Sequence, residues 1–148
     1  EAGRHHATET GANLHYECVS TRDYAVAHAD QFDIVTCMEM LEHVPEPHII
    51  VDDCARLVKP GGQIFFSTIN RTPKAWLLAI AGAEYVLGLV PQGTHEYAKL
   101  IKPSELSQWA RNAQLHVQEI AGMHYNPLLH SAKIGGSPDV NYFLHAQK

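Results

Sequence analysis

The chain has 148 residues, 45% hydrophobic and 18% charged, with a net charge of −5. That length supports one core and roughly one domain. An acidic balance with no basic run argues against a nucleic-acid footprint, and three cysteines without C-x-x-C spacing indicate neither a zinc site nor a disulfide framework.

In chain order, residues 1–10 read as the polar tail of a helix already under way, stopped by Gly11. Leu14 to Val19 has the apolar and aromatic character of a strand, and Thr21 to Ala29 that of an alanine-rich helix. Asp30-Gln31 then turn the chain into Phe32–Met38, whose β-branched and apolar residues predict a strand buried on both faces. Beyond Pro45 and Pro47, the residues Ile50, Cys54, Leu57 and Val58 recur at helical spacing, and Lys59-Pro60-Gly61-Gly62 marks the helix end. Ile64 to Thr68 resumes as a buried strand. Strand, helix and strand within about forty residues make a βαβ unit, so the fold class is α/β.

Residues 76–90 carry one charge, Glu84, in fifteen residues before Pro91, short of the ~20 that span a bilayer. The run fits a buried helix of a larger core, or an interfacial surface for a long apolar substrate with Arg71 and Lys74 placed for anionic headgroups. Ser104 to Ala113 predicts a helix, Leu115 to Ile120 a strand, and Asp139 to His145 a last strand. Thr94-His95-Glu96-Tyr97 reads as a polar loop and His124-Tyr125-Asn126-Pro127 as a turn. For the unpaired cysteines a reducing cytoplasm is the simplest setting.

Glu39, Glu42 and His43 follow the Phe32–Met38 strand at i, i+3 and i+4. On a helix they would share one face, at a strand's carboxyl end, where open α/β sheets hold ligands. Two carboxylates and an imidazole suit a hard divalent cation, Mg²⁺ or Mn²⁺, and His43 also suits a general base. The same residue types suit a solvated first helical turn, favoured there by the helix dipole. No G-x-G-x-x-G, P-loop or G-x-S-x-G elbow is present.

Phe32-Asp33-Ile34-Val35, Glu39-Met40-Leu41-Glu42-His43-Val44 and Leu57-Val58-Lys59-Pro60-Gly61-Gly62 together resemble the class I S-adenosylmethionine-dependent methyltransferases. Phe66-Ser67-Thr68-Ile69-Asn70-Arg71, Gly82-Ala83-Glu84-Tyr85, Gly93-Thr94-His95 and His124-Tyr125-Asn126-Pro127 narrow the resemblance to the O-methyltransferases of ubiquinone biosynthesis. It runs from about Leu14 to the C-terminus and implies a Rossmann-like, mostly parallel sheet with an antiparallel last strand. Residues 32–38 would be its fourth strand and 63–68 its fifth. The resemblance also implies S-adenosyl-L-methionine as cofactor, contacted by Met38, Val19 and Ser20, although no acidic side chain stands beside the last two. Glu39, Glu42 and His43 match divalent-metal positions, with Mg²⁺ the expected ion and Glu42 and His43 the catalytic candidates.

The implied substrate is a polyprenyl phenol or quinol whose hydroxyl takes the methyl group, with 76–90 as the surface for its tail. Implied with it are a peripheral contact on the inner face of the membrane, a cytoplasmic location, and membership of a ubiquinone-biosynthesis complex. The family's glycine-rich loop, and the acidic residue that holds the ribose, would lie before Glu1. These residues therefore resemble the C-terminal part of a single methyltransferase domain, with 76–97 an apolar insert. The expectation is weak cofactor binding and no turnover by the 148 residues alone. The alternatives are another class I small-molecule methyltransferase and a non-catalytic membrane-docking or complex-assembly module.

Overall fold

The βαβ unit expected from the sequence is present. The computed structural model describes residues 2–77, 96–126 and 131–148, so 78–90 of the apolar run, His95 and Pro127 lie outside the described residues. Strand β1 (Phe32–Met38) runs parallel to β2 (Val58–Ile69), joined by a 3-10 turn (Leu41–His43) and helix α3 (Pro47–Leu57). Pro47 opens α3, where its missing N–H costs no hydrogen bond. Lys59-Pro60-Gly61-Gly62 is not a separate turn but the bulged entry to β2, since Phe32 faces Val58 and Ile34 faces Gln63. Gly61 has φ +81°, and a Cβ on Gly62 would stand 2.8 Å from the Asp33 carbonyl oxygen. Both positions therefore demand glycine.

The other elements are α1 (Ala2–Thr10), α2 (Thr21–Ala27), α4 (Pro73–Ala75), a 3-10 turn (Tyr97–Lys99), α5 (Pro103–Asn112), β3 (His116–Asn126), β4 (Ser131–Ile134) and β5 (Asn141–Gln147). The strands form one sheet in the order β1-β2-β5-β3-β4. β5 lies antiparallel between β2 and β3, with Gln63 opposite Gln147 and Ile69 opposite Asn141. It buries Tyr142, Leu144 and Ala146, the alternate positions of a strand with one face on the core.

α3 and α5 pack on the sheet over a shared core that includes Leu41, Val51, Val58, Ile64, Phe66, Leu106, Tyr142 and Leu144. Fully burying a side chain such as Leu106 stabilises the fold by about 1.5–3 kcal/mol. A smaller cluster of Ile69, Ala75 and Leu100 closes the far end of β2, with Val140 packed against it.

Three sequence expectations are corrected. Leu14 to Val19 forms no strand and is exposed. A strand needs a neighbour to take its backbone hydrogen bonds, and among the described residues β1 pairs only with β2. For the same reason β1 is not buried on both faces: Cys37 is buried, whereas Ile34 is 60% exposed. His124-Tyr125-Asn126 is strand rather than turn, because Met123–Asn126 pairs with Ser131–Ile134.

Candidate active site

β1 ends at Met38, which is 42% exposed and sits opposite Ser67 in the parallel ladder. The next residue, Glu39, has φ +46°, a conformation that costs a non-glycine residue energy and recurs at functional sites. What holds it there is β2: the Glu39 N–H donates to the Ser67 carbonyl at 3.0 Å and lies 3.1 Å from its Oγ. The chain then enters the 3-10 turn Leu41–His43, closed by the His43 N–H on the Met40 carbonyl at 3.0 Å.

This turn overturns the helical geometry assumed for Glu39, Glu42 and His43. Glu39 lies outside the turn, and 3-10 winding places residues differently from an α-helical i, i+3, i+4 face. Glu39 and His43 are exposed, whereas Glu42 is turned inward and only 3% exposed. Thr68 Oγ1 donates to Glu42 Oε2 at 2.8 Å, and Glu42 Oε1 is buried with no hydrogen-bond partner. Such an oxygen keeps hydrogen-bond acceptor capacity that the described contacts do not use. Yet among the described residues no group of three His, Cys, Asp or Glu side chains gathers to hold a metal ion. The metal trio does not fit as a preformed cage.

Two groups, Cys37 and Tyr142, feel the charge of Glu42. The Cys37 thiol on β1 feels its charge but is held below the ordinary thiol range, chiefly by a hydrogen bond with Cys54 on α3. Cys54 is pushed far up by that bond and by burial. Burial, with the nearby Glu105, Glu42 and Glu39 carboxylates, pushes the Tyr142 phenol up, and its hydroxyl donates to the Ile101 carbonyl at 3.1 Å.

Val19 and Ser20 are placed by the start of α2 and not by a strand end. Ser20 is the N-cap of α2: its Oγ accepts from the Asp23 N–H at 3.1 Å and donates to Asp23 Oδ2 at 2.7 Å. Its hydroxyl is thus committed to the helix. Val19 is exposed. Of the expected cofactor contacts, only Met38 shares the strand-end loop with Glu39, Glu42 and His43.

The segment after β2 is tied down by polar groups. Asn70 Nδ2 donates to the Pro138 carbonyl and Thr72 Oγ1 to the Asp139 carbonyl, both at 2.7 Å. Arg71 donates to the Leu100 carbonyl at 2.8 Å and pairs with Glu105, and Lys74 pairs with Asp139. The two cations expected to face anionic headgroups are therefore engaged within the fold. Pro73, Trp76 and Tyr97 line an apolar hollow of about 330 Å³ beside this segment. No helix among the described residues is long and apolar enough to cross a membrane.

The sequence reading gave Ser67 and Thr68 no role. Their only signal is two adjacent hydroxyl residues at the end of an apolar strand, which the structure turns toward the loop from β1.

Comparison with known proteins completes the picture. The family described as methyltransferase domain matches residues 4–120. The chain is 57% identical over 145 residues to the ubiquinone biosynthesis O-methyltransferase of Sodalis glossinidius, covering 98% of this chain and 58% of that protein. It is 54% identical over 148 residues to the protein of the same name from Thiobacillus denitrificans, covering 100% of this chain and 64% of that one. The chain thus spans about three fifths of the length of these curated relatives. In fold it is similar to a SAM-dependent methyltransferase from Archaeoglobus fulgidus, with TM-score 0.61, 15% identity, and coverage of 92% of this chain and 68% of that one. The α/β sheet is that of the class I methyltransferase fold.

Proposed function

The chain belongs to the methyltransferase-domain family, and we propose that the protein carrying it O-methylates a hydroxyl of a polyprenyl catechol or demethylubiquinol. The observation that carries this reading is the loop after β1. It sets the buried Glu42, with one carboxylate oxygen lacking a hydrogen-bond partner, four residues after Met38 at the carboxyl end of the parallel pair. The relatives named for ubiquinone biosynthesis supply the substrate class.

S-adenosylmethionine, when bound, supplies an electrophilic methyl group that passes to the acceptor oxygen as the carbon–sulfur bond breaks and S-adenosylhomocysteine leaves. The exposed Met38 side chain offers an apolar contact at the strand end for that cofactor. Glu42 Oε1 is placed to accept the hydroxyl proton of the acceptor, directly or through His43, while Thr68 holds the other carboxylate oxygen. A general base matters because a phenolate attacks more readily than a phenol. No step runs through magnesium, since its three candidate ligands do not gather into one group among the described residues.

The apolar hollow of Pro73, Trp76 and Tyr97 suits the first isoprene units of a tail. With exposed Trp76 and Leu77 beside it, the protein would work as a cytoplasmic enzyme touching the inner face of the membrane, near partners of the same pathway. The 148 residues alone would bind cofactor weakly, because they contain no glycine-rich G-x-G-x-x-G loop.

The test is methyl transfer by the intact protein to a prenylated catechol, read by mass spectrometry as a gain of one methyl on oxygen with release of S-adenosylhomocysteine. Transfer to oxygen with a preference for prenylated over bare catechol is expected. Cofactor binding without transfer to any catechol would overturn the reading.

A further inference from the structure

Two neighbouring hydroxyl residues on β2 hold the loop on which the candidate chemistry stands. Ser67 is 3% exposed and Thr68 is wholly buried. Ser67 receives the Glu39 N–H on its carbonyl and its Oγ, and so fixes the backbone at the φ +46° residue. Thr68 donates to Glu42 Oε2 and leaves Oε1 bare. In a strand, consecutive side chains point to opposite faces. The two residues therefore reach the loop in different ways, Ser67 at its entry and Thr68 beneath its carboxylate.

A buried carboxylate needs hydrogen-bond donors to be tolerated. Thr68 is the donor that occupies one oxygen of Glu42, and the choice of oxygen decides which lone pairs stay available. A serine would keep the donor, whereas a valine would keep the shape without it.

We propose that Thr68, assisted by Ser67, is a positioning residue for methyl transfer: it engages Oε2 of the buried Glu42 carboxylate and so leaves the unpartnered Oε1 as the oxygen that receives the acceptor hydroxyl. This rests on the methyl-transfer reading above.

The experiment uses the intact protein with Thr68→Val, Thr68→Ser and Ser67→Ala. Methyl transfer to a prenylated catechol is measured alongside S-adenosylmethionine affinity by calorimetry, thermal midpoint, and hydrogen exchange of the Glu39–His43 amides. Thr68→Val is expected to lower kcat by about 10- to 100-fold with cofactor affinity and binding stoichiometry unchanged, while exchange in Glu39–His43 speeds up. Thr68→Ser is expected to restore kcat to within a few-fold of wild type.

Equal kcat in Thr68→Val, or a loss that Thr68→Ser does not recover, would overturn the proposal. So would a loss matched by a fall in binding stoichiometry, which would mark Thr68 as merely structural. If Thr68→Val does not fold, Ser67→Ala decides: a smaller loss of kcat with faster exchange at Glu39 supports the clamp, and unchanged values of both refute it. If the wild-type protein methylates no catechol, the reaction reading falls by itself. Exchange then judges the clamp, upheld by faster exchange in Thr68→Val that Thr68→Ser slows again, refuted by equal exchange.

Discussion

Arg22 on α2 and Asp53 on α3 form an ion pair in which the carboxylate is wholly buried and the guanidinium is half exposed. Arg22 Nε lies 2.8 Å from Asp53 Oδ1, but without hydrogen-bond directionality, so the contact acts mainly through charge. Thr21 Oγ1 donates to the other oxygen at 3.0 Å. Together these contacts tie α2 to α3, the helix that packs on β1 and β2.

Removing Arg22 leaves a buried carboxylate with a single hydroxyl partner. Arg22→Ala is expected to destabilise the fold by about 1–3 kcal/mol, the upper range being reduced because water screens the half-exposed arginine. Urea unfolding checks it as a lower midpoint at unchanged slope. An unmoved midpoint would show that the pair contributes nothing measurable.

Gly122 offers a sharper structural test. Its carbonyl accepts from the Gly135 N–H at 2.8 Å, and an added Cβ would stand 2.1 Å from the Ser137 carbonyl oxygen. That clash is with backbone, so no rotamer change relieves it. Gly122→Ala is expected to cost about 1–3 kcal/mol or more, seen as a lower thermal midpoint. Wild-type stability would mean that the 135–138 turn shifts freely.

Thiol reactivity should follow burial. Cys18 is exposed, while Cys37 and Cys54 are buried and hydrogen-bonded to each other. Under native conditions iodoacetamide is expected to modify Cys18 alone, with the other two reacting only in denaturant. Native labelling of Cys37 at the rate of Cys18, read by peptide mass mapping, would contradict the packing of α3 on β1.

For the chemistry, Glu42→Gln in the intact protein keeps the size of the side chain and an oxygen for Thr68 but removes the base. A loss of about 10²- to 10⁴-fold in kcat is expected, and His43→Ala tests whether the imidazole shares the proton. A docking module would instead keep its liposome binding in both variants and show no catalytic change.

Much of the architecture was readable because two periodicities are written plainly into it. Phe32–Met38 and Ile64–Thr68 flank an amphipathic helix, and parallel pairing follows from that arrangement alone. The site was half readable. Residue types locate the loop after β1, but an i, i+3, i+4 face requires an α-helix, and a 3-10 turn forms there instead and sends Glu42 inward. Leu14–Val19 looked like a strand because composition reports apolar character and not the presence of a pairing neighbour. The burial of Asp53 was equally invisible: its reason lies on α2, thirty-one positions away at Arg22.

The place of β5 bears on how the molecule is built in time. The middle strand of the described sheet, β5, is made after both strands it separates, and Gln63 must wait for Gln147 before its ladder is complete. Until then the inner edge of β2 offers unpaired amides and carbonyls to any passing chain. Contacts so distant in sequence slow folding. During synthesis the chain therefore carries an open seam, an opening for chaperones or for aggregation, until β5 has been made and pairs between β2 and β3.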